Sequence, residues 1–385
     1  MKIAILHSGD MKTVSLGGVD QYIKSLIAFS NNSEITVFGT TMIGEHTLGR
    51  AYNQEYCGKK YTFIPISDNK RKPLSAYYLF REIFWVRKLG QYDCIYAQRT
   101  EYSLPFLFSK NKHKLIQMIH GSSKYSEIGF GKSLAKIHLL MEKKAISVAA
   151  YTFIILNRKE YGVPYYQERY IKYANRIKYG KNLIDTGLYY KSDKLSSRKE
   201  FNICEDEIII LFSGRLEHNP KRILLLPCIC KELLSRNYNI KFYILGDGSD
   251  RNNLENLIEQ LSVVDNFVIK GYIDDPHIIA KYNHVSDIAI NLSMFEGTCT
   301  SVLESLACGV PIVSTDVGDI HECLFNNENG IIIPNSSDSE IVENAVAAIE
   351  AIINKKPVMN DIFMKYSGDC VIKELKRFIE QNIMG

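Results

Sequence analysis

Glu296 and Glu304 are two carboxylates eight residues apart in Phe295-Glu296-Gly297-Thr298-Cys299-Thr300-Ser301-Val302-Leu303-Glu304, a polar loop that runs into a helix start. One carboxylate can take the hydroxyls of a sugar and the other those of a ribose, while the amides between them point at the negative charge joining the two. The stretch also has a local reading. Ser301 and Glu304 have the spacing of a capping box, which would spend the second carboxylate on its own helix. Glu296 has no such local use: it follows the apolar run Asp287 to Leu292, at the strand-to-helix edge where doubly wound sheets bind ligands.

A ligand of that charge needs cations. Gly214-Arg215-Leu216 ends the strand pattern Glu207 to Ser213, and Lys221 and Arg222 follow Pro220 at the head of the next helical pattern. Arg215 offers a planar fork and Lys221 a point charge, which suits a diphosphate whose charge grows as a bond to it breaks; a structural ion pair is the other use for Arg215. In the first half, Ser15-Leu16-Gly17-Gly18-Val19-Asp20 opens a helix after the first strand. Its two glycines let the backbone approach a ligand, and the missing third glycine argues against a dinucleotide fingerprint. His120-Gly121-Ser122-Ser123 follows the run Lys114 to Ile119, where a histidine is placed for a sugar hydroxyl. Gly246-Asp247-Gly248 and Gly271-Tyr272-Ile273 end two further strand patterns, either as plain left-handed turns or as backbone against which a base or ribose lies.

The elements that must carry these residues alternate between short β-rich runs and longer helical patterns, the signature of parallel α/β folding. Six strand patterns fall between Lys2 and Leu156 and six between Glu207 and Ile333. The chain of 385 residues is too long for one ordinary core, so two sheets are expected. Tyr161 to Glu207, rich in Tyr and Lys, reads as the crossing. The division is an N-terminal domain at 1–185, a C-terminal domain at 186–367, and a last helix in 368–385 that crosses back.

Charge divides the same way. Residues 1–185 carry 28 Lys+Arg against 14 Asp+Glu, a balance of +14, whereas the remainder carries −10. A basic first half suits an anionic membrane surface or a phosphate-bearing acceptor; Gly131 to Ile146 sets Lys132, Lys136, Lys143 and Lys144 beside Leu134, Ile137, Leu140 and Met141 at helical spacing, a pattern shared with ordinary surface helices. No nucleic-acid module accompanies the charge. No run reaches a membrane span and Met1 to His7 reads as a first buried strand, so a cytoplasmic protein is expected, with peripheral attachment to the inner face of the membrane. Nine cysteines at irregular spacings form neither a disulfide framework nor a metal pattern, and no metal or cofactor is expected.

In order and spacing these motifs resemble the retaining glycosyltransferases of family 4, which have the GT-B fold: two Rossmann-like domains with parallel sheets facing across a cleft. The likeness covers nearly the whole chain through the Gly17-Gly18 loop, His120-Gly121, Asn182-Leu183-Ile184-Asp185, Gly214-Arg215-Leu216 with Lys221, Leu245-Gly246-Asp247-Gly248 and the Glu296/Glu304 pair. The resemblance implies metal-independent transfer of a sugar, with retention, from a nucleoside diphosphate donor to a glycan or lipid-linked acceptor in surface polysaccharide synthesis. It would give Arg215 and Lys221 the diphosphate, Glu296 and His120 the donor sugar, and Glu304 the ribose. Amides from Gly297, Thr298, Cys299 and Thr300 would meet sugar and phosphate, Gly18 the phosphate or acceptor, and Tyr272 the base. Some positions depart from the family: Leu183 and Arg222 stand where glycine is common, Lys221 lies one residue further from Arg215, Asp319 follows Gly318 where a second glycine is usual, and Thr298-Cys299-Thr300 is smaller and more polar than the common version. A GT-B epimerase or phosphorylase, or a non-catalytic subunit on the same fold, are the alternatives.

Overall fold

Strand β1 (Lys2–Leu6) is apolar on both faces after its first residue, the mark of a strand buried in the middle of a parallel sheet. A computed structural model, which describes residues 1–9, 18–30, 33–70, 74–121, 132–297 and 299–384, places it there. Ile3 and Ile5 pack with helices Gly18–Phe29 and Gly368–Ile379, while Ala4 and Leu6 meet Tyr78, Tyr102 and Phe106 on the opposite face. Period-two alternation thus supplies two helical layers from one strand.

The first unit comprises residues 1–183 and 368–385. With β2 (Glu34–Thr41), β3 (Tyr52–Tyr56), β4 (Lys59–Asp68), β5 (Cys94–Ala97), β6 (Leu115–Ile119), β7 (Tyr151–Ile154) and β8 (Ile177–Tyr179), the sheet order is β3-β4-β2-β1-β5-β6-β7-β8. Every neighbouring pair is parallel except β3 with β4. Sequence reading missed β3 because Tyr-Asn-Gln-Glu-Tyr is polar; the hairpin rests on Cys57 and Gly58, both at positive φ. It also missed β8, three residues inside the expected crossing. The crossing itself lies at Leu183 and Ile184, and Gly368–Ile379 buries Val371, Ile372, Leu375 and Ile379 in the first unit's core.

The second unit, residues 184–367, is an all-parallel sheet of β9 (Ile208–Ser213), β10 (Ile240–Leu245), β11 (Phe267–Gly271), β12 (Ile288–Asn291), β13 (Ile312–Thr315) and β14 (Gly330–Ile333) in the order β11-β10-β9-β12-β13-β14. From β9 the chain winds outward to β10 on one side, and β12 starts the other side. The order therefore reverses between β9 and β12, which opens a crevice at their carboxyl ends.

Backbone hydrogen bonds tie three strand ends into one rim: Gly214 N–H donates to Leu245 O (2.9 Å), Leu216 N–H to Asp247 O (2.9 Å) and Gly246 N–H to Gly271 O (2.8 Å). Gly246 has φ 144° and a Cβ there would sit 1.8 Å from the Gly214 carbonyl oxygen. Gly246→Ala is expected to destabilise the second unit by about 3 kcal/mol through this clash and backbone strain, read as a lower urea midpoint. An unchanged midpoint would contradict the tight rim.

Candidate functional site

The loops after β9 and β12 both begin at the reversal point, and they carry Arg215, Lys221 and Glu296. Arg215 stands exposed on the rim with Nη1 3.0 Å from Glu217 Oε2. Such a solvent-facing pair contributes little and is readily exchanged for an anionic ligand.

Lys221 ends the short turn His218–Lys221, and the chain reverses at Arg222 in the left-handed region (φ 51°, ψ 36°). This is a conformation that favours glycine. Arg222 holds it because its buried guanidinium is anchored: it pairs with Asp338 Oδ1 (3.2 Å) and donates to Leu292 O (3.2 Å) and Asn335 Oδ1 (2.8 Å). Arg222 is thus a clasp on the chain after β12, and the expected helix head is displaced to Leu226–Ser235. Pro220 O also receives the amide of Met294, so the two site loops are joined by backbone as well.

The Lys221 ammonium is hydrogen-bonded to Glu296 Oε1, with both side chains largely buried. Burial opposes the charge on Lys221, but the Glu296 carboxylate outweighs it and holds the lysine above its ordinary pKa. Behind the carboxylate, the Ser293 hydroxyl lies 2.7 Å from the same Oε1 and 2.8 Å from Asn291 Oδ1, while Asn291 Nδ2 donates to Ser314 Oγ (3.0 Å). Thr315 Oγ1 in turn donates to the Ser293 carbonyl at 2.7 Å. These strand-end hydroxyls and amide, which sequence reading did not single out, fix one oxygen of Glu296. Oε2 has no protein donor among the described residues.

Gly297 lies with its carbonyl against Gly318: a Cβ on Gly318, whose φ is 53°, would sit 1.9 Å from Gly297 O. Only the first of the two expected glycines is required there, and Asp319 occupies the next position buried. Thr298 lies outside the described residues. Cys299 is half-buried, and burial, then Glu296, raise its thiol pKa against the pull of Lys221, so it stays protonated and is no nucleophile. Thr300 begins helix Thr300–Ala307, whose N-cap is Cys299 with no side-chain cap. The capping box expected from Ser301 and Glu304 is therefore not made; Ser301 Oγ lies 3.2 Å from Cys299 Sγ instead. Glu304, half-buried and without a hydrogen-bonding or ionic partner among the described residues, has its pKa pushed up to about 7 by burial. An unpaired carboxyl in such a place is set for hydroxyl donors. Tyr272 follows β11, its hydroxyl 3.1 Å from Asp274 Oδ1.

In the first unit Gly18 starts helix Gly18–Phe29, and Ser15, Leu16, Gly17, Ser122 and Ser123 lie outside the described residues. His120 follows β6, with Nε2 2.6 Å from Gln98 Oε1 and its ring edge-on to Tyr22 at 5.2 Å. Burial, then His7, lower its pKa to about 3 against Asp20, so the imidazole is neutral; with Gln98 accepting from Nε2, Nδ1 is left as the acceptor. His7, the residue after β1, lies 2.5 Å from Asp20 Oδ1. That pair beside His120 was also not singled out from sequence, although His7 stands at a strand's carboxyl end. Helix Lys132–Val148 exposes Ile137 and Leu140 with Lys136, Lys143 and Lys144; Gly131 and the side chains of Lys132 and Leu134 lie outside the described residues. Among the described residues no helix is long and apolar enough to cross a membrane.

Two Rossmann-like units with parallel sheets define the GT-B class of fold. Over 99% of this chain and 98% of the other, sucrose-phosphate synthase from Thermosynechococcus elongatus superposes with a TM-score of 0.80 at 15% identity. Anabaena HepE in complex with UDP and glucose does so with a TM-score of 0.71 at 14% identity over 99% of each chain. Residues 193–362, within the second unit, match the family model described as glycosyl transferases group 1. An uncharacterized glycosyltransferase of Methanocaldococcus jannaschii is 31% identical over 188 residues, 47% of each chain. The lipopolysaccharide 1,2-N-acetylglucosaminetransferase of Salmonella typhimurium is 27% identical over 204 residues, 50% of this chain and 52% of that one. The chain spans about half the length of the curated relatives it matches.

Glu304 ionises near 7 in the folded chain against 4.5 when unperturbed, so between those values the native state holds a proton that the unfolded chain has lost. Its contribution to stability falls as pH rises through that window. Glu304→Gln removes the effect, and the variant is expected to gain on the parent by up to about 3 kcal/mol between roughly pH 5 and 8 in urea unfolding. A pH-independent difference would contradict the burial of an unpaired carboxyl.

Proposed function

We propose that the chain is a retaining, metal-independent glycosyltransferase of family 4 that moves a sugar from a nucleoside diphosphate to a glycan or lipid-linked acceptor in surface polysaccharide synthesis. The observation that carries this reading is the Lys221–Glu296 pair at the reversal of the second sheet, with Arg215 on the same rim and an unpaired Glu304 eight residues on.

Arg215 and Lys221 grip the diphosphate and take up the charge that develops on it as the glycosyl bond opens. Glu296 Oε2 receives hydroxyls of the donor sugar and Glu304 those of the ribose, while Tyr272 borders the base. Gly18 brings a helix-start amide to phosphate or acceptor. His120, neutral, offers Nδ1 to a sugar hydroxyl. We assign no described side chain as nucleophile: the Cys299 thiol is held protonated by burial and the Glu296 carboxylate is given to sugar hydroxyls, so the phosphate departs and the acceptor enters on one face, the phosphate taking the acceptor's proton. The donor is the only small molecule required, and no cofactor takes part. The complex of Anabaena HepE with UDP and glucose makes UDP sugars the first donors to test, and the basic first unit suits an acceptor at an anionic membrane surface.

Arg215→Ala is expected to lower turnover by about a hundred- to a thousandfold (about 2.7–4 kcal/mol), measured as release of nucleoside diphosphate together with a new glycosidic bond. Turnover at the parent rate would remove its role. Ribose hydroxyls favour the ionised form of Glu304, so donor affinity should rise roughly tenfold at most from about pH 6 to 8, with proton release in calorimetry, and the rise should vanish in Glu304→Gln.

A further inference from the structure

The helix Leu74–Glu82 ends in an apolar point. Phe80, Ile83 and Phe84 are 57%, 55% and 64% exposed, and the two phenylalanine rings meet edge-on at 5.6 Å. Their spacing of three and four residues places them on one face. Phe108, at the end of the turn Thr100–Phe108, is fully exposed. The segments carrying these side chains are tied together, because Asn111 Nδ2 donates to Val86 O (3.0 Å) and Lys114 Nζ to Gly90 O and Tyr92 O (2.9 Å each). Both lead directly into strands β5 and β6, so the patch lies at the sheet's amino edge.

Cations border it. Arg87, Lys88, Lys110 and Lys112 are exposed, and Lys88 lies over the Trp85 ring at 4.4 Å. Of the acids between Ala76 and Lys114, Glu82 is fully buried and Glu101 is paired with Arg99, which leaves Asp93, accepting from the Lys2 amide, as one carboxylate against these four cations. A second copy meeting this patch face to face would oppose like charges. Protruding aromatic side chains ringed by lysine and arginine match the interfacial region of an anionic bilayer, where the rings enter the acyl boundary and the cations meet phosphate.

We propose that this amino edge of the first unit, with Phe80, Ile83, Phe84 and Phe108 as its inserting residues, docks the protein on an anionic membrane surface. This deepens the membrane reading above, and it selects this edge in preference to helix Lys132–Val148. It also bears on the acceptor. His120 lies at the other end of β6, whose five residues span about 17 Å, so the acceptor's reacting end stands off the bilayer. A lipid-linked glycan already several sugars long meets that requirement, and a bare lipid phosphate does not.

Trp85 is the chain's single tryptophan; half-buried against Phe38 and next in sequence to the exposed Phe84, it borders the patch, which makes its emission a local reporter. Titration of the full chain with vesicles of phosphatidylglycerol in phosphatidylcholine at low salt is expected to shift the emission to the blue, with quenching by lipids brominated near the headgroup. The shift should be lost in about 0.5 M salt and be absent with phosphatidylcholine alone. Phe84→Ser/Phe108→Ser, which alters only exposed side chains, should weaken vesicle partition at least tenfold, and Ile137→Ser/Leu140→Ser should not. Undiminished binding by the first variant, absence of any shift, or a dimer in sedimentation velocity that the first variant abolishes would overturn the proposal. A rise in melting temperature with UDP, recorded without vesicles, tests the donor site separately.

Discussion

The buried contact between Lys221 and Glu296 sets the terms for the rest of the second unit. Two opposite charges taken out of water stabilise a fold little in net terms, yet removing either partner leaves the other uncompensated at a cost of about 3–5 kcal/mol. The sheet accordingly supplies partners on both sides. Ser293, Asn291 and Ser314 stand behind the carboxylate, and the loop that carries the lysine is fastened by Arg222 to the chain beyond β12. Under the proposed function the pair would divide the labour of a sugar-nucleotide site, an ammonium for phosphate and a carboxylate oxygen for sugar hydroxyls, held within one hydrogen bond of each other.

The geometry that makes this pair follows from topology. Because β9 and β12 are neighbours whose connections leave in opposite directions, the loops after them cannot cover one another, and the residues they carry face the same crevice. Close backbone contact then fixes the loops, at Gly246 on Gly214 and at Gly318 under Gly297. Glu304 gains its character from the same economy of partners. Its helix begins at Thr300 with Cys299 as an N-cap that makes no side-chain bond, so the carboxyl remains unspent, and burial alone sets its pKa.

Much of this was legible in the residue pattern. Alternating apolar runs located twelve strands, and the glycine-flanked strand ends marked where Arg215, Glu296 and His120 would stand. What escaped were features that depend on neighbours distant in sequence. The hairpin strand β3 is polar and exists because Cys57-Gly58 returns it onto β4; β8 is three residues that pair only with β7. Arg222 read as a basic residue at a helix head where glycine is common; its left-handed backbone and its bond to Asn335, 113 residues away, make it a clasp. The capping box at Ser301 and Glu304 failed for a related reason: local spacing permits it, and the loop packed on Gly318 starts the helix two residues earlier.

The pair is tested most directly by calorimetric titration of nucleoside diphosphate and of the matching nucleotide sugar into the parent chain and Glu296→Gln. If Glu296 neutralises Lys221 until a donor arrives, the glutamine leaves the whole ammonium charge to the phosphate, so the sugarless nucleotide binds at least as tightly as to the parent while the nucleotide sugar binds more weakly. Loss of affinity for both ligands by the same factor would contradict the account, because the carboxylate would then be supporting the phosphate site and not competing for its lysine.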